Sequence, residues 1–315
     1  MTANQKTMTP GLSYTVTPGF CDYHLHSSRS DGRYLPDQVL RMVKAQGCTS
    51  VCLTDHNVAN EDVPAQILRH GMEVLPGAEF SAMARLDGED SEVHVVGWNI
   101  RPDAPSIREL SRRNLSASRD PYLSAILEAV YQATGVRITL EQLKARFPDT
   151  FHLGRQHIAR MMVELGIVKD EEEAFRDYIG GHGKRLAFVS GTPFFRDAYA
   201  PLEDVIRAIH RAGGLAILCH TGAYRMSFDK LQKLLILFRL LGGDGLECDY
   251  GSYTEEVKAV EFRRAAEYGL TPSAGSDFHG YGDRAFKQGS WDIAQGLKAR
   301  WEARYGVPFQ NQALC

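Results

Sequence analysis

The sequence predicts an α/β protein in which strands alternate with helices and form a parallel sheet covered on both faces. Three observations carry this. Seven short apolar runs follow turn signals, at residues 19–23, 49–53, 73–80, 92–100, 215–219, 245–248 and 271–274. Helical patterns lie between several of them. The length, 315 residues, fits either two domains or one large α/β barrel of about 250 residues carrying an insertion.

Residues 1–18 read as a loose lead-in, because no apolar stretch of the kind a signal peptide needs follows Lys6. Residues 36–46 form a helix, with Pro36 in the first turn, Val39, Leu40, Met42 and Val43 on one face, and Gly47 as the stop. Residues 201–212, closed by Gly213 and Gly214, repeat that grammar, and residues 228–241 and 254–268 are two further helices, the second ended by Gly269. Between 101 and 186 the alternation breaks. Helical patterns at 106–114, 122–134, 140–147, 155–165 and 170–178 follow one another with no strand among them. This segment reads as a helical insertion, which leaves 19–100 and 187–315 as the barrel domain. The acidic run 170–173 suits a helix start, where carboxylates complement the dipole.

A hydrophobic fraction of 43% with 24% charged residues is globular and excludes disordered, collagen-like and coiled-coil chains. The longest apolar run, 234–241, is bounded by Lys233 and broken by Arg239, far short of the roughly 20 residues of a membrane span. With 36 basic against 39 acidic residues, the chain lacks the basic bias of a groove for long duplex nucleic acid, and short anionic substrates stay open. Cys21, Cys48, Cys52, Cys219, Cys248 and Cys315 match neither a zinc knuckle nor a disulfide framework. They read as reduced core residues of a cytoplasmic protein.

Five of the eleven histidines sit where an apolar run ends, and they travel with carboxylates: His24 and His26, then Asp31, Asp55 with His56, Glu79, His220, and Asp277 with His279. In a parallel barrel the strand C-termini gather at one face, so residues far apart in sequence converge there. His24 and His26, two apart on an extended chain, point the same way, as do Asp277 and His279. The mixed imidazole and carboxylate set suits zinc, manganese or iron. His94 lies inside its run, in Val93-His94-Val95-Val96. Each piece alone has an ordinary explanation: Thr54 or Asp55 as a helix cap, Glu79 as a paired core acid, His94 as a hydrogen-bonded core histidine. The joint pattern, strand after strand ending in ligand-type residues, favours a metal centre. His70, His152 and His210 sit in helix or surface contexts and receive no role.

The ordered set DYHLHSSRSDG, LTDHN, LPGAEFS, VHVVGWNI, ILCH and AGSDFH resembles the PHP (polymerase and histidinol phosphatase) superfamily. The resemblance implies a distorted seven-stranded TIM-like β/α barrel with a metal cluster. The inserted Leu153-Gly154-Arg155-Gln156-His157-Ile158-Ala159-Arg160, followed by Gly183-Lys184 and Phe188-Val189, resembles the branch that includes 3',5'-nucleoside bisphosphate phosphatases and the 5'-to-3' ribonuclease AM. Carried over by residue, the family pattern makes His24, His26, Glu79 and Asp277 one metal site, with Glu79 bridging to a second completed by His94 and His220. Asp31, His56 and His279 hold a third, and Asp55 orients a ligand. Arg155, His157 and Lys184 grip phosphate, with His157 also a candidate to protonate the leaving oxygen.

The chain departs from that pattern after His220, where Thr221-Gly222-Ala223-Tyr224-Arg225 lacks the arginine usual before the tyrosine. Tyr224 and Arg225 are the substrate candidates there. The usual Tyr-Val is Phe188-Val189, which removes a hydroxyl. The implied activity is a metal-dependent phosphoesterase with two or three divalent ions and a metal-bridging hydroxide as nucleophile. The implied substrate is a small nucleotide or the 5' end of a short RNA. Two alternatives stand beside it, a phosphatase of a non-nucleotide ester such as histidinol phosphate or a sugar phosphate, and a non-catalytic metal-holding module.

Overall fold

Runs of Val, Leu, Ile and Ala are buried on both sides only in a sheet covered on both faces, and each of the seven apolar runs becomes a strand. A computed structural model describes residues 19–115, 119–148, 150–179, 199–224, 226–280, 286 and 289–314. The lead-in 1–18, Cys315, Lys184 and Arg225 lie outside the described residues. The strands are β1 (Phe20–Leu25), β2 (Cys48–Leu53), β3 (Glu73–Leu86), β4 (Glu89–Trp98), the two-residue β5 (Ala200–Pro201), β6 (Leu215–Leu218), β7 (Gly245–Tyr250) and β8 (Thr271–Gly275). The order β1-β2-β3-β4-β6-β7-β8 forms a nearly closed barrel, with β5 added outside against β3. Past the ends of β1 and β8 the chain joins the ring, as Asp277 N donates to His24 O at 2.9 Å and His26 N to Phe278 O at 3.0 Å.

The sheet is mixed, which corrects the expectation of a wholly parallel one. β4 runs antiparallel to both β3 and β6, while the other neighbours along the ring are parallel. The reversal is local chemistry. Asp87 and Gly88, at φ +55° and +84°, form a two-residue hairpin loop that pairs Leu86 with Glu89. The hairpin also carries β3 six residues beyond Phe80, where the apolar run was expected to end.

Helices cover the barrel between strands. α1 (Pro36–Ala45) matches its expected pattern and buries Val39, Leu40 and Val43. α2 (Val63–His70) has a proline in its first turn and Gly71 in the left-handed C-cap, signals that the sequence reading passed over. α3 (Pro105–Asn114) packs Ile107 and Leu110 into one cluster with Phe80 and Ile206. α4 (Arg119–Thr134), α5 (Leu140–Arg146), α6 (Arg155–Glu164) and α7 (Glu171–Ala174) share a core of their own, including Ile126, Val130, Leu143, Ile158 and Met162. The separate helical core therefore begins at α4, because α3 has already spent its apolar face on the barrel. The chain after α7 continues as a π-type turn, Phe175–Ile179, where one continuous helix was expected.

α8 (Leu202–Arg211), α9 (Phe228–Leu240) and α10 (Glu255–Tyr268) follow their expected patterns, with Ser227 and Thr254 as side-chain N-caps of the last two. α11 (Trp291–Tyr305), unread in the sequence, packs Ile293, Leu297 and Trp301 against Tyr23, Leu75, Trp98 and Ile217. Trp301 Nε1 donates to Gly213 O at 2.7 Å, which places α11 at the end of the barrel where β6 begins. The opposite end is left for the site. Cys21, Cys48, Cys52, Cys219 and Cys248 are buried and in no disulfide. Among the described residues no helix is long and apolar enough to cross a membrane.

Candidate metal centre

All nine residues proposed as ligands from the sequence meet at one end of the barrel. His24 and His26 come from the end of β1, Asp31 from the turn after it, and His56 from the chain after β2. Glu79 stands in β3 and His94 in β4, while His220 follows β6 and Asp277 and His279 follow β8. The antiparallel course of β4 explains why His94 precedes most of its apolar run while the others follow theirs. It pairs directly with Ser81, two residues past Glu79, so both strands turn their polar residues to the same side.

Glu79 is the hub and is fully buried. Its Oε2 lies 3.2 Å from His24 Nε2, 3.2 Å from His26 Nε2 and 3.0 Å from His56 Nδ1; its Oε1 lies 2.7 Å from His94 Nδ1 and 3.0 Å from His220 Nε2. Asp277 Oδ1 is 3.2 Å from His26 Nε2, and Asp31 Oδ1 is 3.1 Å from His279 Nε2. His24 Nε2, both ring nitrogens of His26, His56 Nδ1 and Glu79 Oε2 are buried without a hydrogen-bond partner. Leaving one such atom unpaired costs about 1–3 kcal/mol, so several orphans converging on one point mark a place built for something else. Imidazole nitrogens and carboxylate oxygens in one pocket fit a divalent transition metal. His220 and Asp277 hold left-handed backbone, φ +34° and +54°, a strain that the surrounding fold sustains at the centre.

Charge in the cluster is mutually adjusted. Burial pushes the carboxyls of Asp31, Glu79 and Asp277 upward, but the surrounding imidazoles outweigh it and hold all three well below the usual range. Burial lowers His26 and His94, yet Asp277 and Glu79 beside the one and Glu79 and Glu92 beside the other raise both to about 10. His56 falls to about 3, because burial dominates there and Glu79 and Asp31 only partly offset it. The pocket thus sets three ionised carboxylates among imidazoles that balance their charge.

A surrounding layer holds the ligands, and most of it was missed in the sequence. Glu247 of β7 accepts from His24 Nδ1 at 2.9 Å and from His220 N at 2.8 Å, which fixes how the first ring is aimed. Tyr250 donates its hydroxyl to Asp277 Oδ2 at 2.7 Å. Asp55, expected to orient a ligand, accepts from Ser27 N, Ser27 Oγ and Ser30 Oγ at 2.7–2.8 Å, and so shapes the turn that presents Asp31.

Above the cluster lies a cavity of about 340 Å³, lined among others by Tyr122, His152, Arg155, Tyr199, Ala223 and Tyr224. Arg155, the first residue of α6, lines the same cavity as Asp31, His56, Glu79, His94, His220, Asp277 and His279. Tyr224 lies against His220, and its hydroxyl accepts from His94 N at 2.9 Å. His157 does not line the cavity. It is fully buried, its Nδ1 accepts from Gly154 N at 3.1 Å, its ring abuts Phe147, and burial drives its pKa to about 4. His152, read from the sequence as a histidine in a helix or surface context and given no role, is buried and lines the cavity beside the cluster.

Comparison with known proteins agrees with this geometry. The PHP domain profile matches residues 22–178. The chain is 31% identical to a 5'-3' exoribonuclease of Haemophilus influenzae, over 82% of this chain and 89% of that protein. It is 30% identical to a 3',5'-nucleoside bisphosphate phosphatase of Chromobacterium violaceum, over 83% and 88%. A solved structure from Bifidobacterium adolescentis, assigned as a metal-dependent phosphoesterase, shares the fold with a TM-score of 0.74 at 24% identity, covering 90% of this chain and 98% of that one. The chain belongs to the PHP-domain family of phosphoesterases.

Proposed function

We propose that the chain hydrolyses a phosphate ester of a small nucleotide, either a 3',5'-nucleoside bisphosphate or the 5' end of a short RNA. The observation that carries this reading is Arg155 lining one cavity with seven of the nine cluster residues. His24, His26, Glu79 and Asp277 would hold one divalent ion, Glu79 with His94 and His220 a second, and Asp31, His56 and His279 a third, with manganese, zinc and iron all suited to the donors. Bound there, such ions screen phosphoryl charge and lower the pKa of water. Glu79 offers one oxygen to each side of the cluster, and Glu247 keeps His24 turned toward it. Arg155 presents paired donors that match a phosphoryl group, and Tyr122 and Tyr199 flank it as walls of the same cavity.

In this reading the barrel, 19–100 with 187–315, supplies the ligands and the insertion, 101–186, supplies the clamp. The substrate class follows from the two relatives, which act on RNA and on a nucleoside bisphosphate by name. Five buried cysteines in no disulfide fit a reducing cytoplasm.

The test is an activity panel on metal-analysed protein, with adenosine 3',5'-bisphosphate, adenosine 5'-monophosphate, a short 5'-phosphorylated RNA, histidinol phosphate and ribose 5-phosphate. Fastest phosphate release from the bisphosphate or the RNA is expected. Fastest release from histidinol phosphate or the sugar replaces the nucleotide reading, and metal retention with no release from any substrate turns it into a metal-holding role.

A further inference from the structure

Residues 150–154, Thr-Phe-His-Leu-Gly, join α5 to α6 and are tied to the turn after β1. Phe151 N donates to Arg29 O at 3.0 Å, and Thr150 Oγ1 to Ser28 O at 3.4 Å. The loop thereby hangs His152 in the wall of the cavity, its ring centroid 5.5 Å from that of His56 and its surface 5% exposed. A chain of buried amides points to which nitrogen of His152 carries the proton. Ser81 N and Ala200 N can only donate, and Ser81 O can only accept. Ser81 N donates to Asn57 Oδ1 at 3.1 Å, and Ala200 N to Asn114 Oδ1 at 3.0 Å. Asn114 Nδ2 donates to Ser81 O at 2.9 Å and to Asn57 Oδ1 at 2.6 Å. Both amide orientations are therefore fixed, which leaves Asn57 Nδ2 as a donor, and it lies 3.4 Å from His152 Nδ1. An Nδ1 that accepts bears no hydrogen, so the neutral ring carries it on Nε2. Asn57 holds this place in left-handed backbone, φ +57°, a conformation that asparagine tolerates better than most residues.

We propose that His152 is a neutral Nε2–H donor to a non-leaving phosphoryl oxygen of the substrate, and that Asn57 and Asn114 are positioning residues that fix its tautomer. The inference rests on the phosphoesterase reading of the cavity and adds a specific contact to it. A donor of this kind differs from a general acid, since it keeps its proton and serves good and poor leaving groups alike. It also predicts which side chain replaces it: the amide nitrogen of glutamine reaches the place of Nε2, whereas that of asparagine does not.

The test uses the full-length protein. Long-range 1H–15N correlation on 15N-histidine protein, with His152 assigned from His152→Gln, is expected to show Nε2 protonated and Nδ1 bare. A protonated Nδ1 overturns the proposal whether or not any substrate is turned over. Asn57→Asp, whose carboxylate accepts, is expected to move the proton to Nδ1, and an unmoved proton removes the amide chain as the device that fixes the tautomer. The affinity for inorganic phosphate, measured by calorimetry, is expected to fall roughly tenfold or more in His152→Asn and to stay within about threefold in His152→Gln. Equal losses in the two variants, or no loss in either, overturn the donor role. Tautomer and phosphate affinity are read without turnover, so failure of the nucleotide reading in the activity panel stays distinguishable from failure here.

Discussion

Glu79 concentrates the centre in one side chain, because five imidazoles approach its two oxygens within 3.2 Å. Glu79→Gln keeps the shape but replaces one acceptor by a donor pointing at ring nitrogens. Phosphate release is expected to fall by more than about 100-fold, the upper range for disturbing a metal ligand's environment, while circular dichroism stays that of the parent; near-parent turnover would refute a hub role for this acid. Arg155→Ala probes the other wall. A charge-assisted contact is worth about 1.5–3 kcal/mol, so kcat/KM should drop roughly 10- to 100-fold with metal content unchanged by elemental analysis. Loss of metal in this variant, or parent-like kinetics, would take Arg155 out of the clamp. At this scale the ligands were legible because imidazoles and carboxylates recur at strand ends, a pattern that needs only the strand positions to be interpreted. Glu247 and Tyr250 belong to a strand expected to end at 248 and hold the ligands His24 and Asp277 across the barrel, so nothing in their own neighbourhood announced them.

Two elements control how those residues are delivered. At the end of β8, a Cβ on Gly275 would stand 2.2 Å from His24 Cβ and 2.4 Å from Glu247 Oε1, so only glycine lets the first ligand strand lie against the last. Gly275→Ala should push His24 and Glu247 apart, costing about 1–3 kcal/mol of stability as overpacking does and weakening metal retention on dialysis; a variant with parent stability and metal content would show that the ring has slack there. At the other end of the barrel, buried Asp244 accepts from His210 Nε2 at 2.8 Å, Arg300 Nε at 3.1 Å, Arg304 Nε at 2.7 Å and Ala216 N at 3.0 Å, and so ties α8, α11, β6 and the start of β7 together. Burial pushes its carboxyl up, but His210 and Arg304 more than offset this and hold it below the ordinary value. A depressed carboxylate stabilises the fold above its unfolded pKa of about 3.9, and that contribution is lost as pH falls through the lower folded value. Asp244→Asn is expected to cost about 2–4 kcal/mol at neutral pH, less than a fully buried pair because both arginines are partly exposed. In urea unfolding the gap from the parent should close only at pH values below that of a free aspartate; a gap that closes near pH 6 would assign the effect to another group.

For the whole molecule, metal binding and folding are linked. A ligand present at 100 times its Kd stabilises the state that binds it by about 2.7 kcal/mol. Exhaustive treatment with a chelator is expected to lower the Tm by several degrees and abolish phosphate release, and added Mn2+ should restore both. An unchanged Tm together with unchanged activity would mean that the cluster holds no ion of consequence. The cluster lies at one end of the barrel and α11 at the other, while α4 to α7 keep their own core. Variants of that separate core, such as Leu143→Ala, therefore belong to a different stability unit from Gly275→Ala.

The seven strands, most of the helices and all nine cluster residues were legible in the sequence, since periodic apolar runs and residue type at their ends depend only on near neighbours along the chain. The direction of β4 was legible too, in Asp87-Gly88, but an apolar run looks the same whichever way its strand is laid. Tertiary structure alone decided that His157 turns into the helical core while His152 enters the cavity. Their local sequences both read as a histidine near a glycine. What separates them is the bonds of residues 150 and 151 to the turn after β1 and the packing of α6 against Phe147, contacts made by residues distant in the chain. The partners of Asp55 and Glu247 were decided in the same way, because a buried carboxylate takes whatever donors the closed ring brings within reach.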